Sequence, residues 1–292
     1  MSIRSNTKFK KESIKKLNLT SRIVEVMTEA GWEDITSLPS VDGHVLHSKG
    51  EDGLQEITFQ ISDSYSRAAA YNVSTTSYRY GSIRLLKSYT PGPAGKAGLA
   101  DPPSHYWQYV SYMYRAGLEN MDLNLYYNAN KDRGIFIIED PFATDCMWFY
   151  VGKPRPNYSK AYKDQNTVLV AQNNRYVGNV IVQGLADTTY KEPVAGVIMV
   201  NNTGNAKNVV GELMLSEIAF GTNESGFIGY VDGIYAIMKN LNESNTGGNR
   251  SVVVGDRRLK IIKCAPPLTG SSWVNLNDSI PHIAIELEEG FE

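Results

Sequence analysis

The spacing of apolar residues changes twice along the chain, and each change marks an element. Ile23, Val26, Met27 and Ala30 recur at i, i+3, i+4 and i+7 behind Thr20 and Ser21, either of which can cap a helix, and Gly31 stands where a C′ glycine would end it. From Gly43 the period becomes two: Ile57, Phe59 and Ile61 alternate with Thr58, Gln60 and Ser62, which predicts a hairpin of residues 44–48 and 55–62 around the turn 49–53, with one face in the core. The stretch 121–139 is the centre of the pattern. Two runs rich in Leu, Tyr, Ile and Phe flank the turn formers of 128–134, with Gly134 available for a positive φ, so the segment reads as a β-hairpin. Residues 146–151, CMWFYV, form an apolar run short enough for a buried strand.

The intervening stretches are read from composition. Lys8, Lys10, Lys11, Lys15 and Lys16 fall within nine positions, predicting a solvated arm or frayed helix, with an arm that orders against a neighbouring subunit as the sharper alternative. A β-prone run covers 68–89, and 90–103 is a loop dense in Pro and Gly. Five aromatics crowd residues 105–118, which are expected to be strand. The polar, proline-containing stretch 153–165 has the composition of a boundary. Beyond it, β-prone runs recur at 167–171, 195–200, 213–220, 234–238, 252–263 and 283–287, with Gly255-Asp256 expected at a hairpin tip. The expectation is an α+β protein dominated by antiparallel sheet, with an N-terminal helix and a small C-terminal β-domain: a basic arm at 1–19, an α+β domain at 20–160 and a β-rich domain at 166–292.

Charge and candidate chemistry narrow the function classes. A formal net charge of -2 gives no global attraction to nucleic acid or anionic lipid. The first residues are basic and polar, unlike a secretory signal, and no run approaches the roughly 20 apolar residues that span a bilayer. Cys146 and Cys264, the only cysteines, read as buried thiols. His44 and His47, three apart in a strand, point to opposite faces and are badly placed for one metal. The stretch 92–97 has glycines too close together, and no Ser or Thr after Lys96, to be a phosphate loop. Asp232-Gly233 is an acidic turn without the spaced carboxylates of a calcium loop. No G-x-S-x-G or H-E-x-x-H motif occurs, so no catalytic residue, cofactor or metal site is expected. Eighteen Tyr and four Trp supply the amphipathic contact area that enriches protein interfaces, or simply fill β-rich cores.

The succession of a helix closed by Ala30-Gly31-Trp32, a strand with His47-Ser48-Lys49-Gly50, and Asn128-Ala129-Asn130-Lys131-Asp132-Arg133 leading into the apolar strand 134–138 and then 147–152 resembles structural proteins of tailed bacteriophages. Gly233-Ile234-Tyr235-Ala236 and 255–262 are similar to the small β-domain that often closes them. The resemblance implies a virion component of the neck, tail or baseplate, assembled in the host cytoplasm. Its expected partners are copies of itself and other virion proteins, with no small-molecule cofactor, membrane or specific nucleic acid. Residues 130–133 would be a structural turn. The candidate assembly contacts are Lys8, Lys10, Lys11, Pro93, Lys96, Tyr106, Trp107, Tyr109 and Tyr112. The alternatives are a host-glycan-binding module of the tail and an enzyme that degrades cell-wall polysaccharide.

Overall fold

Strand is the dominant state in the computed structural model, which describes residues 10–62, 82–101, 108–109, 120–140, 145–153, 155–156, 168–172, 180–184, 197–200, 215–222, 226–237, 251–254, 257–263 and 282–287. The chain opens with β1 (Lys10–Lys15), one 3-10 turn, α1 (Leu19–Glu29), β2 (Glu33–Asp34), α2 (Pro39–Asp42), β3 (His44–Ser48) and β4 (Ile57–Ser62). β5 (Ser82–Leu85), β6 (Ser88–Thr90), β7 (Leu99–Asp101) and β8 (Gln108–Tyr109) follow. The central strands are β9 (Asp122–Ala129), β10 (Arg133–Asp140) and β11 (Asp145–Gly152). After them come β12 (Arg155–Pro156), β13 (Val168–Gln172), β14 (Val180–Gly184), β15 (Val197–Val200), β16 (Leu215–Thr222) and β17 (Gly226–Ile237). β18 (Ser251–Val254), β19 (Arg257–Lys263) and β20 (His282–Leu287) complete the described elements.

Every pairing between described strands is antiparallel. The protein is α+β, dominated by antiparallel sheet. A six-stranded sheet has the order β1-β9-β10-β11-β13-β14, a five-stranded sheet β2-β3-β4-β5-β8, and β6 and β7 form a separate ribbon. The seven-stranded sheet runs β15-β16-β17-β20-β19-β18, with β12 also on β17.

Helix α1 forms where its periodicity predicts, burying Ile23, Val26 and Met27. Its start differs: Asn18 is the N-cap, without a side-chain bond, and the Ser21 hydroxyl donates to the Asn18 carbonyl. Its end is a Schellman motif. Gly31 N–H donates to Thr28 O and Trp32 N–H to Met27 O, both at 3.0 Å, with Gly31 at φ +94. Ile23 and Met27 pack into one cluster with Leu46, Phe59, Leu125 and Phe136, joining the helix to the five- and six-stranded sheets. Within that layer Tyr127, Phe136 and Phe149 lie directly opposite one another on β9, β10 and β11 and stack at 6.3 and 4.9 Å.

Four expectations change. The basic arm is a strand from Lys10, because Glu12 and Ile14 alternate with Lys11, Ser13 and Lys15 and turn their half-buried side chains to the α1 side, where Glu12 pairs with Arg22. Strand β4 is buried on both faces, since Thr58, Gln60 and Ser62 are only 4–6% exposed and Gln60 is bonded to the Asp42 carbonyl and to Arg84. The described part of the Pro/Gly stretch, residues 90–101, belongs to a two-stranded ribbon: Lys96 N–H bonds Pro93 O at 2.9 Å across a turn whose Gly95 has φ +76. Finally, the polar stretch near 160 does not separate the sheets. β12, inside that stretch, already pairs with β17 of the seven-stranded sheet, β13 then returns to the six-stranded sheet with Leu169 opposite Val151, and the described strands from β15 onward belong to the seven-stranded sheet. Composition reads as a linker there, but buried apolar pairing decides the sheet.

Candidate functional site at the 130–133 turn

Asn130, Lys131, Asp132 and Arg133 close the β9–β10 hairpin with only Lys131 and Asp132 between the paired residues. Asn130 N–H donates to Arg133 O at 2.9 Å, and the Asn130 Oδ1 accepts from the N–H groups of Asp132 and Arg133, each at 2.9 Å. The asparagine side chain thus supplies the turn's internal acceptor. Gly134 has another task than the positive φ expected of it. It lies in β10, and a Cβ there would sit 2.7 Å from the Met27 sulfur, so its missing side chain lets α1 approach the sheet.

Several landmarks of the sequence reach this turn from different elements. The Trp32 indole N–H donates to the Asn130 carbonyl at 2.7 Å, and its ring meets Phe59 edge-on at 5.3 Å. A Cβ on Gly31 would come within 2.8 Å of the Lys131 Cε. From β3, the Ser48 hydroxyl donates to the Lys131 carbonyl at 2.6 Å and accepts from the Gly50 N–H at 3.1 Å. The Glu51 N–H bonds Asp132 Oδ1 at 3.0 Å. From β11, Gly152 takes φ +144 and the Lys153 N–H bonds the Asp132 carbonyl at 2.8 Å. The carbonyls of Asn130, Lys131 and Asp132 therefore each accept a bond from a separate segment; the Ser48 and Glu51 bonds fix the five-stranded sheet on the six-stranded one, and the Lys153 bond ties the turn to its own sheet.

The seven-stranded sheet joins through the turn's last residue. In β17, Asp232, Gly233 and Ile234 are extra relative to β16, because Glu217 faces Tyr235 while Ile218 faces Val231. This bulge, with Gly233 at φ +85, carries Asp232 to an ion pair with Arg133. A Cβ on Gly233 would lie 3.1 Å from the Ile135 methyl. Asp232-Gly233, read from sequence as an acidic turn, is this bulge. The second face of the central sheet is consequently buried too, with Tyr126, Ile135, Ile137, Trp148 and Tyr150 at 2% exposure or less. Burial pushes the Tyr150 phenol well above its usual range, and its hydroxyl donates to the Lys153 carbonyl.

A second polar group holds β1. Arg22 of α1 donates from Nε and Nη2 to the two oxygens of Glu12 at 2.7 and 2.8 Å, and reaches Glu25, Glu29 and the Tyr127 hydroxyl. Tyr127 in turn donates to Glu12. The Arg22 bonds hold the Glu12 carboxyl below the usual carboxylate range, and burial pushes the Tyr127 phenol up to about 12. Neither Glu12 nor Arg22 was a sequence candidate. They are ten residues apart on a strand and a helix, a separation that no local pattern marks.

The assembly candidates lie elsewhere. Lys10 and Lys11 are exposed on β1, with the Lys11 ammonium 5.4 Å from the Tyr126 ring centroid. Pro93 and Lys96 are exposed at the ribbon tip. Tyr109 lies in β8 opposite Ser82. Lys8, Tyr106, Trp107 and Tyr112 lie outside the described residues, as do Cys264 and Gly255-Asp256; Cys146 stands in β11 opposite Glu139. His44 bonds Asp34 at 2.8 Å, whereas His47 bonds Thr58 at 3.0 Å and lies 3.4 Å from Glu56, so the two histidines serve different partners. Among the described residues, no three His, Cys, Asp or Glu side chains are grouped so as to hold a metal ion, and no helix is long and apolar enough to cross a membrane. No family model matches the chain, and no curated protein matches it at a significant level.

Proposed function

We propose that the chain is a structural component of a tailed-phage virion, a subunit of a symmetric neck, tail or baseplate assembly that works through contacts with its own copies and with other virion proteins. The observation that carries this reading is the convergence of its landmarks. Gly31-Trp32, Ser48 with Gly50, residues 130–133 and Gly152 are dispersed in sequence, yet all meet at one turn. Gly233, the first residue of the second landmark set, lies in the bulge that brings its neighbour Asp232 to Arg133 of the same turn. These landmarks therefore share one mechanical task, fixing three sheets to each other. A subunit of a symmetric assembly needs that property, because an angular error at one interface is repeated at every copy.

The test is the mass of the purified protein by native mass spectrometry and light scattering over a hundredfold range of concentration. A closed oligomer of defined subunit number is the expected result. A monomer at every concentration, together with saturable quenching of its Trp fluorescence by cell-wall polysaccharide, would replace this reading with the glycan-binding one.

A further inference from the structure

Strand β1 is an edge of the six-stranded sheet, and the register shows what it offers. The Lys16 N–H donates to the Met121 carbonyl at 2.9 Å, and Lys15 lies opposite Asp122. By alternation, the backbone groups of Lys10, Glu12 and Ile14 face β9, and those of Lys11, Ser13 and Lys15 point away from it. These three N–H and three C=O groups have no strand partner among the described residues. The side chains of the same three residues are exposed. Lysine on an edge discourages indiscriminate pairing. It also selects for an acidic strand, since Lys11 and Lys15 stand on one face about 13 Å apart with a small serine between them.

The chain itself carries a segment of matching chemistry and spacing. After β20 the sequence is Glu288-Glu289-Gly290-Phe291-Glu292, which lies outside the described residues. In an extended conformation Glu288 and Glu292 fall on one face at the same spacing of about 13 Å, with Gly290 between them as Ser13 is between the lysines. The fold also places the strand that leads into this segment on the side of the central sheet to which the acceptor lysines project. Gly233 of β17 lies against Ile135, and Ile234 pairs with Ile285 of β20, so β20 belongs to the sheet that covers the second face of the central sheet. Lys11 projects onto that same face, its ammonium 5.4 Å from the Tyr126 ring centroid. Donor strand and acceptor thus lie on one side of the central sheet, as a reciprocal contact about a two-fold axis requires.

We propose that β1 is a strand-addition site for the acidic segment 288–292 of a second copy of this chain, exchanged reciprocally, with Glu288 and Glu292 meeting Lys11 and Lys15. The Lys15 pair with Asp122, its side chains 48% and 56% exposed, is a solvated contact that the incoming carboxylate replaces. This inference rests on the self-assembly part of the function proposed above, and not on the kind of particle.

The experiment measures self-association of the full chain by sedimentation velocity and native mass spectrometry. The proteins are wild type, the double variant Lys11→Glu/Lys15→Glu, and the double variant Glu288→Lys/Glu292→Lys. Each double variant is expected to raise the dissociation constant at least about tenfold, since four cross-copy ion pairs become repulsive. An equimolar mixture of the two is expected to recover association as a heterodimer, because each edge then meets a tail of opposite charge. The glutamate variant leaves β1 untouched and decides the matter if the lysine variant does not fold. A wild-type oligomer unchanged by both variants overturns the inference and leaves the assembly reading standing. A wild type that stays monomeric overturns the self-assembly reading as well. Lysine–carboxylate cross-linking between β1 and 288–292 inside a monomer would show the segment docking on its own chain, which also overturns the second-copy occupant.

Discussion

Gly152→Ala tests the junction at its tightest point. Gly152 has φ +144, a backbone conformation that side chains rarely adopt, and a Cβ there would overlap the Asp132 carbonyl oxygen and lie 2.5 Å from the Arg133 Cα. Both neighbours are backbone of the 130–133 turn. They cannot rotate aside as a flexible side chain would, and the same Asp132 carbonyl accepts the Lys153 N–H at 2.8 Å. The dihedral strain costs about 1–3 kcal/mol, and forcing a methyl group against fixed atoms adds about 1–3 kcal/mol. A total near 4 kcal/mol lowers the melting temperature by roughly 10 °C in a chain of this size. Gly53→Ala is the control. Gly53 also has positive φ, +72, but nothing lies within 4 Å of its Cβ position, so only a strain of about 1 kcal/mol is expected. Equilibrium urea unfolding, followed by Trp fluorescence and circular dichroism, gives both values, and their difference isolates the steric contact. Equal costs for the two variants would refute the argument, because the junction would then yield at no expense.

Trp32→Phe removes the indole donor to the Asn130 carbonyl and part of a ring that is 3% exposed, leaving that carbonyl with only the 3.3 Å bond from the Arg133 N–H. A loss of about 2–3 kcal/mol is expected in urea unfolding, with faster amide exchange at residues 130–133, and unchanged exchange there would contradict the role given to Trp32. For Glu12→Gln the sign follows from the lowered carboxyl pKa, caused first by the Arg22 hydrogen bonds. The ion pair stabilises the fold above the unfolded-state carboxylate pKa, and that stability is lost as pH falls through the folded value. The variant should cost about 1 kcal/mol at pH 7, and the gap to wild type should close as pH falls through the lowered pKa of the folded carboxyl. A gap independent of pH in unfolding curves would mean that Glu12 acts through packing alone.

The parts of the fold legible in the sequence were those in which neighbours along the chain decide the outcome. The periodicity of Ile23, Val26 and Met27, the glycine at position 31, and the hairpin around residues 130–133 are local devices, and the structure places each where its pattern predicts. β1 was not legible, because Glu12 and Ile14 among lysines resemble a solvated run until Arg22 and Leu123 are brought beside them. β17 was only half visible. Glycines at 226, 229 and 233 break its β-propensity, and the bulge they permit has meaning only opposite Arg133 and Ile135. The central strands read as continuous apolar runs at 135–138 and 147–151, and their burial on both faces is the reason.

The two surfaces that carry assembly candidates share a construction. The ribbon β6–β7 presents Pro93 and Lys96, yet behind that exposed tip the Asp42 carboxylate, 7% exposed, accepts bonds from the Leu38 N–H, the Tyr89 hydroxyl and the Gly98 N–H at 3.2, 2.8 and 2.9 Å. The Tyr89 oxygen also accepts the Ser37 N–H, and the Ser37 hydroxyl accepts the Gly92 N–H. β1 presents Lys10 and Lys11 and is held from behind by Glu12, Arg22 and Tyr127. In each case an anchored carboxylate behind the surface gathers donors from several segments and orders a polar element in advance. Fixing the backbone of one residue costs about 1–2 kcal/mol, so an element whose backbone is already set avoids that loss at each contact. A small preorganised edge can then contribute to a stable contact where a flexible arm of the same composition could not. Repeated around a symmetric assembly, the saving is multiplied by the number of copies.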